Sequence, residues 1–191
     1  LNSVSHCGTR SFFTIAQAQT SLLSPDEFLG YDIGTQFTRH HRVIEYFEHL
    51  ARNNSQLIYA PYGKTNEGRS LSYAIISSTE NLAKLEDIRI NNLKQTGILD
   101  GDSTSEIAIV WLSYNVHGNE ASSTEAAMVT AHELITKRKD LLQNTVVILD
   151  PCINPDGRDR YVNWYNQVKA TPYSPYQDAV EHHEPWPGGR P

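Results

Sequence analysis

Two nearly unbroken apolar runs, "IAIVWLSY" (Ile107 to Tyr114) and "TVVILD" (Thr145 to Asp150), constrain this chain more than anything else in it. A half-buried strand alternates apolar and polar residues, whereas a continuous run is what a strand covered on both faces requires. Between the two lies a stretch from Ser123 to Lys137 that places Ala127, Met128, Ala131, Leu134 and Ile135 on one helical face. Lys137 and Arg138 stand near its end, where cations favour the helix dipole. Strand, helix, strand in this order belongs to a sheet with helices packed on it.

Upstream, "TRHHRVIEYFEHLAR" (Thr38 to Arg52) sets Val43, Ile44, Phe47 and Leu50 along one side of an amphipathic helix. "QLIYAPYGKTNEGRSLSYAIISS" reads as two strands, Leu57 to Tyr62 and Leu71 to Ser77, joined by a Gly-containing loop. "NLAKLEDIRINNLKQ" reads as another helix with Leu82, Leu85, Ile88 and Leu93 inward, and Ser24 with Pro25 and the acids after it predicts a short helical turn. The order β, β, α, β, α, β and then a loop predicts an α/β fold: a mixed, mostly parallel sheet with helices on both faces.

At 191 residues, 39% hydrophobic and 20% charged, the chain has enough apolar material for one ordinary core. A formal charge of -6 and the lack of any basic run with interleaved aromatics argue against nucleic acid as a partner. No apolar run approaches the roughly 20 residues that span a bilayer. Cys7 and Cys152 show no C-x-x-C spacing, and Cys152 reads as a small buried hydrophobe. Residues 1–25 form a leader: Arg10, a short apolar stretch and Ala16-Gln17-Ala18 resemble the end of a secretory signal, with a disordered leader the alternative. The closing "EPWPGGRP" is a Pro/Gly turn that would lead into a further element, so the chain reads as part of a longer protein.

The first apolar run leads into "NVHGNE" (Asn115 to Glu120) and then the helix. That junction, outside the carboxyl end of a strand, is where open α/β sheets bind ligands. His117 and Glu120, one turn apart, are of the types zinc takes as ligands. Spacing alone also fits a polar turn with Glu120 at the positive helix N-terminus. Other histidines offer less. "HELIT" at His132 has Thr136 where a second ligand would stand, and the doublets His40-His41 and His182-His183 read as solvated surface residues. No G-x-S-x-G elbow or Walker-type loop is present.

Three motifs in order, "YGKTNEGRSL" (Tyr62 to Leu71), "NVHGNE" and "PCINPDGRDRY" (Pro151 to Tyr161), together resemble the zinc metallocarboxypeptidase family, whose E-G-R hairpin, H-x-x-E metal motif and N-P-D-G turn recur in this sequence order. The resemblance covers roughly residues 26–191 and corresponds to the N-terminal portion of the family's catalytic domain. The form "HGNE", with Asn119 where digestive members have Arg, is closer to the carboxypeptidase E and D branch. It implies that His117 and Glu120 are the first two zinc ligands and that Arg190, in "PGGRP", helps polarise the scissile carbonyl. "NPDG" by itself predicts a β-turn with Pro second and Gly fourth.

The same resemblance implies a zinc-dependent hydrolase acting on the C-terminal bond of peptides or proteins, secreted or periplasmic. The family's third ligand, its carboxylate-gripping Asn-Arg pair, its substrate-covering Tyr and its general-base Glu come later in order than residue 191. The sequence-level expectation is therefore a domain truncated on its C-terminal side and inactive alone. A related zinc amidase acting on cell-wall peptides or acylated amino acids, and a peptide-binding relative without chemistry, are the alternatives.

Overall fold

In the computed structural model, which describes residues 21–169, strands β1 (Leu57–Lys64) and β2 (Ser70–Ile76) form an antiparallel hairpin. Its turn closes through the Gly68 amide on the Thr65 carbonyl, with Gly68 at φ 82°, a left-handed conformation that costs glycine little. The pairing slips between Pro61 and Gly63, a bulge that fits the missing N–H of Pro61. Strand β4 (Thr145–Asp150) joins β2 antiparallel, and β3 (Ala108–Ser113) joins β4 parallel, giving a mixed four-stranded sheet in the order β1-β2-β4-β3.

Helices follow the sequence pattern closely. α1 (Pro25–Leu29) opens with a capping box in which the Ser24 side chain accepts from the Glu27 amide and Glu27 accepts from the Ser24 amide. α2 (His40–Asn53) buries Val43, Tyr46, Phe47 and Leu50. The expected helix after β2 is broken near Ala83 and Lys84 into α3 (Thr79–Leu82) and α4 (Leu85–Gln95), and α4 buries Ile88 alone. α5 (Ser122–Thr136) is the crossover between β3 and β4 and is followed by a 3₁₀ turn at Lys139–Gln143.

The core lies where α2 and α5 cover one face of the sheet. Val43, Tyr46, Phe47 and Leu50 of α2 and Ala127, Met128, Ala131 and Ile135 of α5 close over Ala74, Ile76, Val147 and Leu149. Each large side chain here contributes about 1.5–3 kcal/mol of burial.

Three expectations are corrected. First, β3 is an edge strand rather than one buried on both faces: Trp111 is 67% exposed. Register puts it in a cross-sheet row with Ile148, Ile75 and Ile58 on the face away from the core, and among the described residues no strand pairs with the outer edge of β3. Second, His40 is not solvated. It is 6% exposed, its Nε2 donates to the Ser70 carbonyl at 3.1 Å, and its amide donates to Asp159 at 3.3 Å, because the first turn of α2 sits against β2 and the helix that follows β4. His41 is exposed as expected. Third, "NPDG" is not an isolated β-turn: Asn154 is the N-cap and Pro155 the first residue of a 14-residue helix, α6 (Pro155–Val168). His182-His183, Cys7 and Arg190 lie outside the described residues.

Phe47→Ala is expected to lower unfolding free energy by about 3–5 kcal/mol in urea titrations, because its site is fully enclosed. Burial holds the pKa of His40 below its ordinary value. The unfolded chain therefore takes up this proton before the folded one does, and stability falls as pH drops through about 6.5. The slope of unfolding free energy between pH 7 and 5 should be shallower in His40→Gln, by at most about 1.4 kcal/mol per pH unit.

Candidate metal centre

At the carboxyl end of β3 the chain leaves the sheet at Asn115, whose φ of 56° is the only positive value at a non-glycine among the described residues. Asn is among the few residues that tolerate this region. Its side chain reinforces the bend: Nδ2 donates to the His117 carbonyl at 2.8 Å, and Oδ1 accepts from Thr124 Oγ1 at 2.7 Å. The turn continues with the Glu120 amide on the His117 carbonyl at 3.1 Å, so His117 and Glu120 occupy one turn immediately before α5. The sequence placed both residues at this strand–helix junction, and the structure brings them together there.

The two side chains differ in setting. Glu120 is exposed. His117 Nδ1 is buried and has no hydrogen-bond partner among the described residues. A buried polar atom without a partner costs free energy unless something satisfies it, and an imidazole nitrogen in that position is suited to a metal. Asn119 Oδ1 on the same turn is also buried and unpartnered. Among the described residues no group of three His, Cys, Asp or Glu side chains gathers into a complete metal cage.

The second wall of the site comes from the segment after β4. The Ile153 amide donates to the Tyr114 carbonyl at 3.1 Å, and Asn154 Nδ2 donates to the Val116 carbonyl at 3.1 Å, while Asn154 Oδ1 caps α6 by accepting from the Gly157 amide at 3.0 Å. Gly118 and Gly157 meet backbone to backbone, so that a Cβ built on Gly118 would lie inside the Gly157 peptide group. Below this contact Arg158, 0% exposed, donates from Nη1 to Asn115 Oδ1 at 3.0 Å and to the Ala121 carbonyl, and from Nη2 to the Thr38 carbonyl at 2.8 Å and Glu125 Oε1 at 2.7 Å. Glu125 also accepts from the Thr38 amide at 2.6 Å. Neither residue was singled out from the sequence. A Glu in the apolar face of α5 and an Arg in "DGRDR" are the faint signals that were there to read.

The hairpin motif reaches the same helix. Arg69 bonds Asp156 Oδ1 at 2.7 Å through Nη1 and Asp159 Oδ2 at 2.8 Å through Nε, Thr65 Oγ1 donates to Asp156 at 2.8 Å, and Arg160 pairs with Glu67. The "EGR" of the hairpin is thus the anchor of α6, and α6 in turn holds the loop of His117. Nearby, Tyr62 Oη donates at 2.5 Å to Asp150, whose carboxyl burial holds above the usual range. Cys152 is a free, buried thiol, with its pKa pushed up to about 12 mainly by burial.

A sequence model of the zinc carboxypeptidases matches residues 43–180, which include the hairpin, the ligand loop and α6. The chain belongs to the zinc carboxypeptidase family. Among solved structures its fold is similar to that of carboxypeptidase A from Helicoverpa armigera, at TM-score 0.50 and 24% identity over 66% of this chain and 28% of that one. It is also similar to thrombin-activatable fibrinolysis inhibitor, at TM-score 0.51 and 13% identity over 74% of this chain and 30% of that one. At these identities the likeness shows the fold, a metallocarboxypeptidase-like one. The chain spans less than a third of the length of either protein. No curated protein sequence matches it significantly.

Glu125→Leu is expected to lower unfolding free energy by about 3–5 kcal/mol in denaturant titrations, since it leaves Arg158 buried without its carboxylate. Cys152 should resist alkylation at pH 8 in the native protein and label on unfolding in urea, as followed by peptide mass mapping, because a thiol with so high a pKa holds almost no thiolate.

Proposed function

We propose that this chain carries the first two zinc ligands, His117 and Glu120, of a metallocarboxypeptidase that hydrolyses the C-terminal bond of peptides or proteins. The observation that carries this reading is the buried, unpartnered Nδ1 of His117, held one turn from an exposed carboxylate at the carboxyl end of a sheet strand. The donor types fit the metal: imidazole nitrogen and carboxylate oxygen are what zinc takes in hydrolytic sites, three from protein with one position left for water. When bound, zinc supplies Lewis acidity toward a carbonyl and lowers the pKa of a coordinated water.

The chain's own contribution is position. His117 offers a nitrogen that no hydrogen bond from the described residues occupies, and its carbonyl is fixed by the Asn115 side chain and the Glu120 amide, so the ring is carried on a defined turn. The exposed Glu120 presents its carboxylate outward from the same turn. In this reading Arg190 has the role the family resemblance implies, polarising the scissile carbonyl, since a fixed positive charge stabilises a developing oxyanion. The third ligand, the group that takes the proton from water and the grip on the substrate's terminal carboxylate come from elsewhere in the protein, and the site faces an extracellular or periplasmic medium.

The test uses the complete protein, with zinc counted by metal analysis and hydrolysis followed on matched peptides bearing a free or an amidated C-terminus. The expected outcome is one tightly held zinc per chain, lost in His117→Ala and weakened in Glu120→Gln, with cleavage confined to the free-carboxylate peptide. Equal cleavage of both peptides would favour an amidase of another specificity. Zinc binding without cleavage of either would favour a peptide binder, and no zinc at all would defeat the assignment of the ligands.

A further inference from the structure

The ligand loop does not account for why the chain keeps a guanidinium in its core directly behind it. Resting on the metal-site reading, we propose that Arg158 is the positioning residue of that loop, setting the span from Asn115 to Ala121 and so the relative placement of His117 and Glu120. A buried ion pair is seldom a net source of stability, since apolar side chains of similar volume often do as well or better. The geometry of Arg158 therefore matters more than its charge.

Its two terminal nitrogens divide the work. Nη1 reaches both flanks of the loop, Asn115 Oδ1 where the chain leaves β3 and the Ala121 carbonyl where α5 is about to begin. Nη2 fixes that fork to Glu125 in the first turn of α5 and to the Thr38 carbonyl ahead of α2. Between the flanks, residues 116–120 have one bond within the segment, the Glu120 amide on the His117 carbonyl, and are otherwise held from outside it, by the Asn115 and Asn154 side-chain amides and by Ser123 on the Glu120 carbonyl. The loop is thus defined by its ends, and one rigid planar group holds both. Ligand side chains need their supports placed to within about 0.5 Å, which a planar fork supplies and a single ammonium does not.

The experiment compares the complete protein with Arg158→Lys, which keeps the charge and loses the fork. Asn115→Gly is a second variant, in which glycine accepts the φ of 56° while the side-chain bonds are lost. Two readouts are taken: zinc affinity by competition with a chelating dye, and amide hydrogen exchange of the metal-free protein, residue by residue. Both variants are expected to bind zinc about 10–100-fold more weakly. Exchange at residues 115–121 should rise at least ~10-fold while β4 (residues 145–150) keeps its protection.

Unchanged zinc affinity and loop exchange in both variants would overturn the proposal, and so would faster exchange spread evenly through β4, which marks a general scaffold residue. If Arg158→Lys does not fold, Asn115→Gly decides by the same criteria. If the parent protein binds no zinc, the metal-site reading fails by itself and the exchange data alone judge Arg158. Acceleration confined to the loop then supports its positioning role, and any other pattern overturns it.

Discussion

The contact on which the rest of this site depends is the meeting of two glycine backbones, Gly118 in the ligand loop and Gly157 in the first turn of α6. Any side chain at Gly118 would occupy the space of the Gly157 peptide group. Because the backbones touch, the capping Asn154 can reach the Val116 carbonyl, and Arg158, one residue further on, passes beneath the loop to bond both of its ends. Main-chain contact of this kind leaves little slack. A loop that has few bonds within itself is held by the helix lying against it.

From that contact the structure can be followed outward. α6 is anchored in the hairpin through Arg69, which takes both Asp156 and Asp159, and Asp159 also accepts from the His40 amide at the start of α2. α2 packs over the sheet beside α5, the helix that the ligand loop leads into. The three motifs that stand far apart in the sequence, at residues 62–71, 115–120 and 151–161, therefore form one connected unit. Their common purpose is mechanical: the hairpin holds the helix, and the helix holds the loop. Two of the buried polar atoms without a partner among the described residues lie in the loop itself, His117 Nδ1 and Asn119 Oδ1. Of these groups, the ring nitrogen of His117 is the one carried on the turn at the carboxyl end of a strand, where α/β sheets place ligands.

Much of the fold was legible because it is written in local patterns. The period of Val43, Ile44, Phe47 and Leu50 gave α2, and the face of Ala127, Met128, Ala131, Leu134 and Ile135 gave α5; all of these are fully buried except Ile44 and Leu134, which are half-buried at the margins of their faces. Tyr46 joined the buried face unannounced, because its ring packs while its hydroxyl reaches the Leu23 carbonyl. The length of α6 was missed because "NPDG" carries a turn signal as strong as its capping signal, and a helix that begins at Asn-Pro satisfies both. His40 was misjudged because nothing in a His-His pair tells which ring the tertiary packing will cover. The continuous apolarity of β3 was read as double burial, but in the described residues its outer face lies open around Trp111. Hydrophobicity records what a strand is suited to, and burial records which neighbours lie against it.

The sequence by itself determined the element types up to residue 150, the family, and the junction where His117 and Glu120 stand, since periodicity and motif order are properties of the chain. Tertiary structure alone decided that Arg158 and Glu125 are paired in the core, that Gly118 must lack a side chain, and that the Nδ1 of His117 is buried without a partner among the described residues. The physical reason is distance along the chain. Arg158 and Glu125 are separated by 33 positions and Arg158 and Thr38 by 120, and no local pattern encodes which polar groups meet once the backbone between them has folded.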